Sequence, residues 1–127
     1  MKKKVLVVDD SRSLRQMVVF TLQQAGYQVT EAGDGSEGLR RLRRDPFDLL
    51  ITDWNMAGMD GIELLKAVRA DANLCKLPVL MVTADGKREN ILTAVQAGAT
   101  GYIVKPFTAA TLEDKMGKIF EMMAHTQ

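Results

Sequence analysis

Short apolar, β-branched runs alternate along the chain with longer stretches whose apolar residues recur at helical spacing. The runs are Lys4-Val5-Leu6-Val7-Val8, Gln28-Val29-Thr30, Asp48-Leu49-Leu50-Ile51-Thr52, Pro78-Val79-Leu80-Met81-Val82 and Gly101-Tyr102-Ile103-Val104. Their apolarity is continuous rather than alternating, as strands buried on both faces require, so all five read as inner strands of a parallel sheet. Five helices follow from the intervening patterns. They are marked by Leu14, Met17, Val18, Leu22 and Ala25; by Leu39 and Leu42; by Ile62, Leu65 and Val68; by Ile91, Ala94, Val95 and Gly98; and by Leu112, Met116, Ile119, Phe120 and Met123. The last set forms a stripe on one helix face, and all of these residues are expected in the core.

Turn chemistry marks the same units. Ala25-Gly26-Tyr27, Asp45-Pro46 and Ala97-Gly98-Ala99 read as helix stops, Gly61 as a helix start and Thr108 as the cap of the last helix. Strand and helix in alternation, without linker or repeat, imply right-handed crossovers and helices on both faces of the sheet. This is an open, doubly wound α/β fold of five βα units. At 127 residues, a single domain over 1–127 with no output domain is expected.

Composition narrows the function classes. Hydrophobic residues make up 46% and charged residues 26%, a globular mixture that argues against disorder or a disulfide scaffold. Lys and Arg number 17 against 16 Asp and Glu, a net charge of +1, so no global field steers the chain to nucleic acid or to anionic membrane. Apolar runs such as Val5 to Val8 fall far short of the about 20 residues of a membrane helix. Met1-Lys2-Lys3-Lys4 looks like the start of a signal peptide, but Asp9 and Asp10 interrupt before an apolar stretch can form. With Cys75 as the single cysteine, a reducing, cytoplasmic location is expected.

Open α/β sheets place their sites at the carboxyl ends of the strands. There the chain carries Asp9-Asp10 after the first run, Asp53 after the third, Thr83 after the fourth and Lys105 after the fifth. Strand-end Asp and Thr also serve as caps and turn formers. Three carboxylates together, however, repel by about 1 kcal/mol per pair at 4 Å in water and by about 4 kcal/mol at an effective dielectric near 20. Something positive has to sit among them. Mg²⁺ binds through one or two carboxylates plus waters, which leaves positions for phosphate oxygens, and Lys105 offers a second positive charge. Such a setting suits a carboxylate that accepts a phosphoryl group, and Asp53 is the natural candidate, with Asp10 available for metal and Thr83 for a hydroxyl contact.

At these residues the chain resembles the receiver domain of two-component response regulators along its whole length. Asp9-Asp10 looks like the metal-binding pair and Asp53-Trp54-Asn55-Met56 through Met59-Asp60-Gly61 like the phosphoacceptor loop. Thr83-Ala84 is similar to the switch threonine and its small neighbour, and Lys105-Pro106-Phe107 to the lysine and its proline, joined by a cis peptide. Trp54, Tyr102 and the stretches Leu77 to Ala84 and Val104 to Leu112 bring it nearest to the stand-alone chemotaxis branch. The resemblance implies a flavodoxin-like sheet of strand order 2-1-3-4-5, known for this family. It further implies Asp53 as phosphoacceptor; Asp9, Asp10, Asp53 and Asn55 around Mg²⁺; Thr83, Ala84 and Lys105 on the phosphoryl oxygens; and Asn55 and Asp85 tuning dephosphorylation. Thr83 and Tyr102 would form the switch. Implied partners are a chemotaxis-type histidine kinase as donor, the flagellar motor switch through the fourth helix, fifth strand and fifth helix, and a phosphatase, the chain acting as a monomeric signalling protein rather than an enzyme. The alternative is a single-domain receiver of another pathway, or a phosphate sink.

Three positions depart from the family. Ala57 replaces the usual proline and should loosen the loop, Ser11 stands where some chemotaxis members have phenylalanine, and Asp85 replaces a longer glutamate. Arg40-Arg41-Leu42-Arg43-Arg44 reads as the solvated face of the second helix, His125 as a tail residue without a role, and Met17, Met81 and Met116 as core. An aspartate-nucleophile phosphatase is disfavoured because Asn55 sits where a second Asp would exchange a proton, and a flavodoxin-like carrier because Asp9-Asp10 would repel a flavin phosphate.

Overall fold

The apolar runs pair into one parallel sheet of order β2-β1-β3-β4-β5, in which β1 is Lys4–Val8, β2 Gln28–Ala32, β3 Leu49–Asp53, β4 Val79–Thr83 and β5 Gly101–Val104. The structure, a computed structural model, describes residues 2–84 and 86–125, the side chain of His125 excepted. Helices α1 (Arg12–Gln24), α2 (Gly35–Arg44), α3 (Gly61–Ala70), α4 (Arg88–Gln96) and α5 (Ala109–His125) connect or follow the strands. This is the expected doubly wound, flavodoxin-like fold.

Strand alternation divides the interior in two. Val5, Val7, Leu49, Ile51, Leu80, Val82 and Ile103 pack with α1 and α5, while Leu6, Val8, Leu50 and Met81 pack with α2, α3 and α4. Every residue of β3 and β4 is buried, which is why their sequences are apolar up to the polar residues at their carboxyl ends.

Only β1, β3 and β4 are inner strands; β2 and β5 form the edges, which corrects the reading of all five as interior. Their burial agrees with that place, since β2 buries only Ala32 and β5 only Ile103. The bounds also shift: β2 continues through Glu31 and Ala32, and β3 and β4 take in Asp53 and Thr83 as their last residues. Four positions expected in the core are exposed, Leu14 by 37%, Met17 by 51%, Val95 by 53%, and Ala25 at the end of α1. In α1, Val18, Val19 and Leu22 already fill the sheet contact, and α4 buries only Ala94. Met81 and Met116 are fully buried.

Helix starts follow cap chemistry. Ser11 caps α1 and Asp34 caps α2; Thr108 Oγ1 accepts the Thr111 N–H at 3.1 Å at the start of α5. Asp60 and Glu63 make a reciprocal capping box at α3, so Gly61 is the first helical residue behind the cap. Of the α2 arginines, Arg40, Arg43 and Arg44 are exposed and Arg41 is partly buried, while Leu42 is buried; Arg41 pairs with Glu37 at 3.4 Å, Arg43 with Asp71 at 3.3 Å and Arg44 with Asp45 at 3.3 Å. Among the described residues no helix is long and apolar enough to cross a membrane.

Candidate functional site

Parallel register brings the polar strand ends to one edge. Val8 pairs with Thr52, Asp53 with Val82, and Thr83 with Val104, so the residues that follow these pairs converge. Asp9, Asp10 and Asp53 each offer a carboxylate oxygen, all within 4.8 Å of one another. Lys105 Nζ lies 3.0 Å from Asp53 Oδ1 and 3.9 Å from Asp9 Oδ2. One lysine against three carboxylates leaves a net negative pocket of hard oxygen donors, and that donor set fits a divalent cation such as Mg²⁺.

Asp9 and Asp53 are buried while Asp10 is exposed. Burial is the main reason the Asp9 carboxyl sits above its ordinary value; the Ser11 N–H pulls it back, Asp53 pushes it up, Lys105 pulls it down and Asp10 adds a smaller push. The Ser11 N–H donates to Asp9 Oδ1 at 2.9 Å. Arg15 holds the same residue from behind: its Nη1 donates to the Asp9 carbonyl at 2.6 Å and its Nε to Glu31 Oε1 at 2.9 Å.

The loop from Trp54 to Asp60 is folded tightly over the end of β3. The Gly61 N–H donates to the Trp54 carbonyl at 2.8 Å, and a Cβ at position 61 would press on the Asp53 carbonyl oxygen and stand 2.9 Å from Trp54 Cα. Only glycine permits this approach. Trp54 is partly buried against the core shared with α2, α3 and α4. Asn55 and Ala84 are exposed. Thr83 is buried, and its carbonyl accepts the Lys105 N–H at 2.8 Å, so the strand-end threonine and the lysine share a backbone link. The Lys105–Pro106 peptide is cis. Tyr102 is not part of the acidic cluster; it is half-buried in β5, with Lys115 Nζ 5.2 Å from its ring centroid. Asp85 lies outside the described residues. A cavity of about 250 Å³ adjoins the site, with Asp9, Asp53 and Lys105 at its polar end and Leu14, Met17, Val18 and Phe107 among its apolar walls.

Two contributors are missing from the sequence reading. The capping box was available there as Asp60-x-x-Glu63. Arg15 carries no such signal, because an arginine on an amphipathic helix reads as solvated until the strand end beside it is placed.

A family model of the response regulator receiver domain matches residues 5–117. The chain belongs to the response regulator receiver family. Chemotaxis protein CheY-3 of Vibrio cholerae is 54% identical over 121 residues, covering 94% of this chain and 93% of that protein. Chemotaxis protein CheY of Pseudomonas aeruginosa is 54% identical over 119 residues, covering 93% and 96%. Among solved structures, the V. cholerae chemotaxis protein CheY4 superposes with a TM-score of 0.90 at 44% identity, covering 94% of this chain and 99% of that one. The strand order of this receiver is the order already known for CheY, a shared trait of the family. Receivers of this kind are not classed as catalytic enzymes.

Proposed function

We propose that this receiver takes a phosphoryl group from the phosphohistidine of a chemotaxis-type kinase onto Asp53, in a Mg²⁺-dependent reaction, and signals by a conformational switch to the flagellar motor. The observation that carries the reading is the Lys105 to Asp53 contact of 3.0 Å inside a cluster of three carboxylates at the carboxyl edge of the sheet. The likeness to chemotaxis proteins over nearly their full length supports both the output and action as a single domain.

In this reading an Asp53 oxygen forms the new O–P bond as the P–N bond to the donor imidazole breaks, and the imidazole nitrogen keeps the electron pair. Lys105 faces the phosphoryl oxygens as negative charge gathers on them, and the Thr83 hydroxyl with the Ala84 N–H holds the same oxygens. Asp9, Asp10, Asp53 and the Asn55 carbonyl would hold Mg²⁺. The cation would neutralise charge on the transferred group. Asn55 and Asp85 would tune the access of water to the acyl phosphate and with it the lifetime of the phosphoryl group. Thr83 drawn toward the phosphoryl group frees space for Tyr102 to turn inward, which shifts the population of α4, β5 and α5 toward the conformation that a partner selects.

The test is intact mass after incubation with a phosphorylated kinase or a small acyl phosphate and Mg²⁺. Wild type gains one phosphoryl group and Asp53→Asn gains none; equal labelling of the variant would overturn the assignment.

A further inference from the structure

Asp9 and Asp10 adjoin in sequence but are held very differently. Asp9 is buried and gripped on several sides: its N–H donates to the Ala32 carbonyl at 3.2 Å, its carbonyl accepts from Arg15 at 2.6 Å, and its carboxylate accepts from Ser11 at 2.9 Å. Asp10 is exposed, and among the described residues its carboxylate has one hydrogen bond. Its Oδ2 accepts the N–H of Ala57 at 3.3 Å, a contact spanning 47 positions of sequence. Alanine at position 57 has that N–H to give, whereas a proline there would have none. The bond does not use up the carboxylate, whose two oxygens carry about four acceptor sites, so Oδ1 stays available to a cation. Hydrogen bonds to a ligating carboxylate fix its orientation, and their loss typically costs about 10–100-fold in metal affinity.

We propose that the Ala57 N–H is a positioning donor for Asp10, holding the one loosely anchored carboxylate of the cluster toward Asp9 and Asp53, so that this chain binds Mg²⁺ more tightly than it would with proline at position 57. The proposal rests on the metal site described under the proposed function. Ala57→Pro removes the donor and leaves every cation ligand in place. Its dissociation constant for Mg²⁺, measured by calorimetry and by Trp54 fluorescence, should rise roughly tenfold, the lower end of the range for such partners. Ala57→Ser, which keeps the N–H, should restore the wild-type constant. In an Asp10→Ala background Ala57→Pro should have no further effect, which separates the lost donor from a stiffened loop.

A second measurement needs no proline. The Ala57 amide proton should move upfield and exchange faster in metal-free Asp10→Ala than in metal-free wild type. Wild-type Mg²⁺ affinity in Ala57→Pro, or an Ala57 amide indifferent to Asp10→Ala, would overturn the proposal. An Asp10→Ala variant with undiminished Mg²⁺ affinity would instead overturn the metal site itself.

Discussion

Asp9 is held above its ordinary carboxyl value chiefly by burial, and this has a direction that can be checked. A carboxyl whose folded value exceeds its unfolded one binds its proton more tightly in the folded state. Its contribution to stability is complete below the unfolded value and is lost as pH rises through the folded one. In metal-free protein, Asp9→Asn should therefore be more stable than wild type at neutral pH. The difference should shrink as pH falls toward the ordinary carboxyl value of 3.8, where Asp9 itself becomes neutral. Thermal unfolding of both proteins across that range, with chelator present, is the measurement. A difference that grows on acidification would mean that Lys105 and Ser11, and not burial, govern this carboxyl.

At the scale of elements, α3 anchors the loop that follows Asp53. Its Asp60–Glu63 box should be worth about 1 kcal/mol, so Asp60→Ala should lower stability by that amount in denaturant unfolding. Gly61→Ala should cost more, about 1–3 kcal/mol from overpacking against the end of β3. It should also slow phosphorylation of Asp53, whereas Asp60→Ala should leave that rate nearer wild type. The strands and their polar ends are legible in the sequence because burial on both faces writes continuous apolar runs, and what breaks such a run at the carboxyl edge stands out. Edge status is not legible in the runs of β2 and β5 themselves, since a short run does not say whether it has one neighbour or two; only the strand order that the family resemblance implies puts them at the edges. The exposed Met17 and Val95 escape notice for a related reason. Helical spacing locates a stripe, but the width of the stripe that the sheet covers depends on how each helix is seated.

For the whole molecule, the acidic edge is a place where stability is given up in the absence of a cation. Asp10→Asn should raise the melting temperature of the metal-free protein by removing one repelling charge, and should reduce what added Mg²⁺ returns. A cation that binds only the folded state at 100 times its dissociation constant adds about 2.7 kcal/mol. Wild type should therefore overtake the variant as Mg²⁺ is raised, and calorimetric scans across a Mg²⁺ series would show the crossing. The divided interior has a further consequence. Leu50 and Ile51 are adjacent in the chain yet belong to different cores, while Leu50 and Met81, on different strands, share one. Truncations of Leu50 and Met81, which share a core, should therefore interact. The sheet acts as a partition between two apolar compartments. Their boundary runs through β5, where α4 from one compartment and α5 from the other flank the same edge strand, so that strand can weigh a disturbance arriving from either side.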